Sequence, residues 1–303
     1  MSRYDVVCAG PPFLDVTFVG LERLPRPGEE LLARELALTP GGAAITAVGA
    51  ARLGLRAALL WPRGTDLAGD YLRAALATEG VDWLGPEGPR TAVTAVFPVD
   101  GDRALATFRP QDELDDADLD ALDASAVVAD VDRAGRVPAR LPVYAVGSFA
   151  EVARRTPGTL RLPGCRALFL NESEALRLSG AGDAEAAATA LAATGAEAVV
   201  VTLGPNGAVE WAEGSLVRAP APAVEAVVDT TGSGDLFVAA YVFADLAGAS
   251  RVERLALAGL YAGLSVRTAT GVGGAPTLRE LEEEARLRGL PPVHRPVPTE
   301  EKR

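Results

Sequence analysis

The stretch Asp229-Thr230-Thr231-Gly232-Ser233-Gly234-Asp235 gathers two glycines, three hydroxyls and two carboxylates within seven residues. It lies between a strand-like apolar run, Val224–Val228, and an apolar run that reads as a helix, Leu236–Ala247. Glycines let backbone N–H groups approach a ligand closely, and a helix starting there adds the positive end of its dipole, so the pattern predicts an anion site. Asp235, in the first turn of that helix, stands where a general base would meet a hydroxyl attacking a bound phosphoryl group. The N–H groups of Gly232, Ser233 and Gly234 would stabilise the charge that develops on the transferred group. The same residues also suit a plain strand–turn–helix in which the glycines only turn the chain and Asp235 caps the helix.

What the chain lacks narrows the chemistry. Its one histidine, His294, sits among Pro291, Pro292, Pro296 and Pro298, so Ser-His-Asp and Cys-His mechanisms have no base. Its one lysine, Lys302, is the next-to-last residue, which removes the P-loop lysine and Schiff-base chemistry. Cys8 and Cys165 make neither a disulfide framework nor, with one histidine, a zinc spacing. Both read as reduced and buried. A formal charge of −12 with no basic run argues against nucleic acid as a partner. The opening Met-Ser-Arg-Tyr-Asp lacks a signal peptide's layout, and no apolar run reaches spanning length; the expected location is the cytoplasm, away from membranes.

The elements that must position the site are read from periodicity. Strands are expected at Asp5–Gly10, Phe13–Val19, Glu30–Leu38, Ala57–Trp61, Ala92–Val99, Arg103–Phe108, Ala126–Asp130, Val143–Val146, Ala167–Leu170, Ala198–Leu203 and Ala208–Trp211. Helices are expected from Pro40-Gly41-Gly42 to Leu53, then over Leu67–Glu79, Glu172–Ser179, Asp183–Thr194, Ser233–Gly248, Val252–Thr268 and Leu278–Gly289. Asp100-Gly101-Asp102 reads as a hairpin turn. The alternation predicts an α/β fold, a doubly wound, mostly parallel sheet flanked by helices. The strand pairs at about 12–38 and 91–109 have no flanking helices, so they predict a small separate β-sheet, a lid over the carboxyl ends of the main strands. Residues 1–290 are expected to form one domain carrying these insertions, with 291–303 as a frayed tail.

Over nearly its whole length the chain resembles the ribokinase (PfkB) family of carbohydrate kinases. Asp229–Asp235 resembles the family's Asp-Thr-Thr-Gly-Ala-Gly-Asp signature, with Ser233 for the usual Ala. Gly41-Gly42-Ala43-Ala44 through Ala51-Arg52-Leu53-Gly54 resembles its amino-terminal signature, Asn171-Glu172-Ser173-Glu174 its Asn-x-x-Glu motif, and Thr202-Leu203-Gly204-Pro205-Asn206-Gly207 its Thr-x-Gly-x-x-Gly turn. The resemblance implies a ribokinase-like fold that uses ATP and Mg²⁺ to phosphorylate a hydroxyl of a small, sugar-like substrate; it also admits a monovalent cation. It implies Asp235 as base and Gly232, Ser233 and Gly234 as anion hole. Asn171 and Glu174 would organise Mg²⁺ through water. Thr202, Gly204, Gly207 and Thr231 would hold the nucleotide, with Asn171 close by. Asp15, Gly41 and Gly42 would contact the acceptor, together with Thr46, which stands where the family carries an Asn, and with Arg109. Asn171 equally suits a helix cap, and the Gly271-Val272-Gly273-Gly274 turn could touch the adenine or only join two helices. A homodimer through the lid is implied as well. A nucleoside or hydroxymethyl-pyrimidine kinase of the same fold is a rival reading, as is a non-catalytic sugar- or nucleotide-binding protein. Prolines after the first strand, Gly10-Pro11-Pro12, leave no dinucleotide-binding turn.

Overall fold

The computed structural model describes residues 2–99, 102–110 and 114–296. In chain order the strands are β1 (Val6–Ala9), β2 (Pro12–Val19), β3 (Glu35–Gly42), β4 (Ala57–Leu60), β5 (Arg63–Gly64), β6 (Asp82–Leu84), β7 (Glu87–Gly88), β8 (Ala92–Val99), β9 (Asp102–Phe108), β10 (Val127–Asp130), β11 (Val143–Val146), β12 (Ala167–Asn171), β13 (Ala198–Thr202), β14 (Ala208–Ala212) and β15 (Ser215–Ala219). The helices are α1 (Ala43–Arg52), α2 (Leu67–Thr78), α3 (Asp116–Asp120), α4 (Phe149–Ala153), α5 (Glu172–Ser179), α6 (Ala184–Leu191), α7 (Ser233–Leu246), α8 (Arg251–Ser265) and α9 (Leu278–Leu287). No described helix is long and apolar enough to cross a membrane.

The large sheet runs β15-β14-β13-β12-β11-β10-β1-β4-β6. Every pair from β6 to β13 is parallel, and β14–β15 closes one edge as an antiparallel hairpin. Its inner strands are short apolar runs because both faces are covered. Successive residues therefore enter opposite cores: Cys8, Val128 and Phe169 pack with α1, α7 and α8 on one side. Val7, Val127 and Leu168 pack with α5 and α6 on the other.

The second sheet, β3-β2-β8-β9, contains the two expected insertions. Its register puts Asp15, Thr39 and Thr94 on one face and Val16, Leu38 and Ala95 on the other. Three expectations shift. Glu30–Arg34 is not strand; pairing with β2 sets β3 from Val19↔Glu35 to Pro12↔Gly42. Pro40-Gly41-Gly42 consequently ends β3 instead of opening α1, and Pro40 is tolerated because β3 is an edge strand. Val224–Val228 joins no sheet: Pro220 and Pro222 precede it without N–H donors, and Val227 and Val228 lie exposed. Asp100 and Gly101 of the expected hairpin turn, and residues 297–303 with Lys302, lie outside the described residues. Residues 291–296 have no regular structure, although Val293 packs on the core and Arg295 pairs with Glu282 at 3.1 Å.

Candidate active site

The glycine loop is held by Asp229, which is buried. One of its carboxylate oxygens accepts from the Thr231 N–H at 2.8 Å, and the other from the Thr270 N–H at 2.9 Å. This single side chain thus braces the loop against the Ala269–Gly274 turn. Gly232, the residue before α7, has φ 75°, a left-handed conformation natural to glycine. A Cβ there would stand 2.9 Å from both Gly271 Cα and Ile45 Cδ1. The loop is therefore wedged between α1 and the 269–274 turn, and Gly271 packs on Gly232; neither Gly271 nor its turn lines the large cavity described below. Ser233 Oγ turns back to the Thr230 carbonyl at 3.0 Å. Thr231 Oγ1 is buried with no hydrogen-bond partner among the described residues.

Asp235 occupies the first turn of α7, where the helix dipole favours a negative charge. Two neighbours locate it. Thr46, buried in α1, donates to the Asp235 carbonyl at 3.4 Å. The Cys8 thiol of β1 is pushed far up, first by burial and then by the Asp235 charge. The carboxylate thus lies by the carboxyl end of the first strand, beside the start of α1. Asp15 approaches from the small sheet. It is 8% exposed, and a Cβ on Gly41 would overlap its carboxylate. Gly42 (φ 59°) lies against the Phe13 ring and Pro11 carbonyl. Gly41 stands two residues before α1, so β3 leads the chain from the residue against Asp15 directly into the helix whose Thr46 meets the start of α7.

A cavity of about 650 Å³ opens beside the loop. Thr202, Gly204 and Gly207 line one end, and Thr230, Ser233 and Gly234 line another part. Asn171 and Thr231, also expected on the nucleotide, are not among its walls. Sequence reasoning missed other walls, among them the Pro220–Val224 segment, Phe237, and Leu255, Gly259 and Gly263 on α8. Two glycines four residues apart in an apolar helix were the available signal, since they cost helix stability without a local turn to justify them.

Asn171 caps α5. Its Oδ1 accepts from the Glu174 N–H and Glu174 Oε2 accepts from the Asn171 N–H, each at 2.9 Å. Burial pushes the Glu174 carboxyl up, opposed by these Asn171 bonds. In the sheet Asn171 pairs with Thr202, which places the capping box beside the cavity wall. Among the described residues no three His, Cys, Asp or Glu side chains cluster to hold a metal by themselves. Arg109, past β9, sets its guanidinium 5.9 Å from the centre of the buried Trp61 ring. Its charge also acts on Glu151, at the carboxyl edge of the sheet.

A family model described as pfkB family carbohydrate kinase matches residues 6–278. The ribokinase of Bacillus subtilis is 29% identical over 276 residues, covering 86% of this chain and 93% of that one. The cytidine kinase of Thermococcus kodakarensis is 42% identical over 86 residues, only 28% of this chain and 29% of that one. The Arabidopsis thaliana ribokinase, solved with ribose and ATP, superposes with a TM-score of 0.76 at 25% identity, covering 93% of this chain and 98% of that one. With the family model matched over residues 6–278, almost all of its length, the chain belongs to the PfkB family of carbohydrate kinases.

Proposed function

We propose that the chain transfers the terminal phosphoryl group of ATP to a hydroxyl of a small sugar-like acceptor. The observation that carries this reading is Asp235 in the first turn of α7, behind a glycine loop that borders the 650 Å³ cavity and packs against Ile45 of α1. Asp235 takes the acceptor's proton as its oxygen attacks the terminal phosphorus, and the ADP oxygen leaves as that P–O bond breaks. The N–H groups of Gly232–Gly234 receive the charge developing on the transferred group. Thr46 steadies the Asp235 turn from below, a positioning part in addition to any contact with the acceptor.

Thr202, Gly204 and Gly207 hold the nucleotide, and the buried Thr231 hydroxyl, without a hydrogen-bond partner among the described residues, fits a ligand oxygen. Glu174 and Asn171 spend much of their hydrogen-bonding capacity on each other. That donor set fits Mg²⁺ held chiefly by phosphate oxygens and water, with Glu174 behind the water shell. Bound there, the ion would neutralise phosphate charge, which no lysine of this chain can do from a P-loop. Asp15 and the Gly41-Gly42 backbone face the acceptor, and Arg109 lies at the outer edge of that side.

The small sheet acts as the lid, and its outward face supports a homodimer. Phe18 and Phe97 stack there at 5.3 Å, and Leu36, Leu38 and Phe108 are exposed on that same face. Covering such a face removes both an apolar patch and free strand edges from water.

The test is ADP release by purified chain with Mg·ATP over sugars, sugar phosphates, polyols and nucleosides, with Asp235→Asn alongside. Turnover on one acceptor that falls by about 10²–10⁴-fold in the variant supports the assignment. Turnover that the variant retains removes Asp235 as base, and a nucleoside as the only acceptor moves the chain to the nucleoside branch.

A further inference from the structure

The 650 Å³ cavity has an uneven chemistry. Among the described residues, the walls with polar side chains are Thr202, at the end of β13, and Thr230 and Ser233, in the glycine loop. Away from these the walls are Pro220–Val224, Leu255, Gly259, Ala262, Gly263 and Val266, and none carries a side-chain donor or acceptor. The backbone of Pro220–Val224 lacks two of its five possible donors. Pro220 and Pro222 have no N–H, the segment belongs to no strand, and the Ala223 carbonyl is already taken by the Arg288 guanidinium at 3.1 Å. Shape, in contrast, is tightly set. A Cβ on Gly263 would stand 2.5 Å from Pro222 Cγ, so α8 and the proline segment touch at that level. One turn earlier, a Cβ on Gly259 would stand 3.9 Å from Pro222 Cδ, where the two walls part into a slot.

We infer that the base of the nucleotide is selected by the shape of this slot and not by hydrogen bonds, so adenine and guanine nucleotides bind alike. The inference rests on the cavity being the nucleotide site. A site that hydrogen-bonds the distinguishing group rejects an analogue by about 10⁴–10⁵-fold, whereas an apolar slot separates ligands of different size by only about 10–200-fold. Adenine, guanine and hypoxanthine have the same two-ring frame and differ in exocyclic groups and in the proton at N1, and no side-chain donor or acceptor on the walls beside the slot reads these differences. The phosphate end supplies the affinity common to all three, through the glycine loop and Thr202.

The experiment is calorimetric titration of the full chain with Mg·ADP, Mg·GDP and Mg·IDP, which needs no knowledge of the acceptor. Dissociation constants within about tenfold of one another are expected. A preference for ADP above that ratio overturns the inference while leaving the kinase reading intact. Failure of all three to bind overturns the cavity's assignment as well, so the two failures are distinct. Gly259→Val, checked for folding by its melting transition, is expected to weaken ADP and GDP together by at least about tenfold, because a branched side chain fills the slot. Unchanged affinity for both in a folded Gly259→Val chain would place the base elsewhere and overturn the inference too.

Discussion

Glu151 offers a test of the electrostatics at the carboxyl edge of the sheet. It lies in α4, is 5% exposed, and its Oε2 has no hydrogen-bond partner among the described residues. Burial above all, then the charges of Asp130 and Asp132, push its carboxyl from 4.5 to about 7. Arg109 and a Ser148 hydrogen bond offset only part of this rise. Each tenfold change in proton affinity is about 1.4 kcal/mol, so the rise corresponds to about 3 kcal/mol. The folded chain holds this proton more tightly than the unfolded chain. Stability attributable to Glu151 is therefore complete below pH 4.5 and is lost as pH climbs through about 7. Glu151→Gln keeps the shape and removes the titration. In urea unfolding, wild type is expected to lose about 2–3 kcal/mol relative to the variant between pH 5 and pH 8. A gap between the two proteins that stays constant with pH would refute the assignment, since a packing defect alone carries no proton.

Four further outcomes follow from particular contacts. Gly41→Ala should push the Asp15 carboxylate back by about 1 Å and lower kcat/KM for the acceptor by about 10²-fold, with nucleotide affinity measured by calorimetry unchanged. Gly232→Ala meets Gly271 and Ile45 and demands a left-handed alanine; turnover should fall by about 10²–10³-fold as the loop's N–H groups are displaced, read in the same ADP-release assay. Arg254 pairs with Asp245 and with Glu210, which is fully buried. Arg254→Met should cost about 3 kcal/mol in urea unfolding while sparing kcat per folded molecule. Leu36→Glu puts a charge on the exposed apolar face of the small sheet, and light scattering should show a dimeric wild type become a monomer; an unchanged mass would remove that face as the interface.

The parts of the fold legible in the sequence were those whose pattern is set locally. Val143–Val146 and Glu172–Ser179 read directly because one is a buried run and the other an amphipathic helix with a capping box at its start. β3 did not read correctly, since its limits come from pairing with β2 and its Pro40-Gly41-Gly42 end has the composition of a turn. β15 went unread because it is a short, largely exposed edge strand without alternating polarity. Val224–Val228 misled in the opposite direction: its valines resemble a strand yet form irregular wall beside the cavity. The glycine loop was legible because seven consecutive residues carry it. The base slot was not, because Pro222 and Gly259 meet only through the tertiary fold.

Gly42 is at once the last residue of β3 and the residue capping α1, so no connecting loop separates the small sheet from that helix. α1 in turn is seated on α7: Gly49 lies against Leu236 and Ala239, and the Tyr261 hydroxyl of α8 donates to the Gly49 carbonyl at 3.1 Å. If the proposed acceptor draws on Asp15 and Gly41, its pull passes through α1 to the helices bordering the cavity. Thermodynamic reciprocity then binds the two ligands to each other: whatever factor the acceptor adds to nucleotide affinity, the nucleotide returns to the acceptor in equal measure. A chain joined in this way has no slack joint between the small sheet and the cavity, so a coupling factor measured with either ligand must reappear with the other.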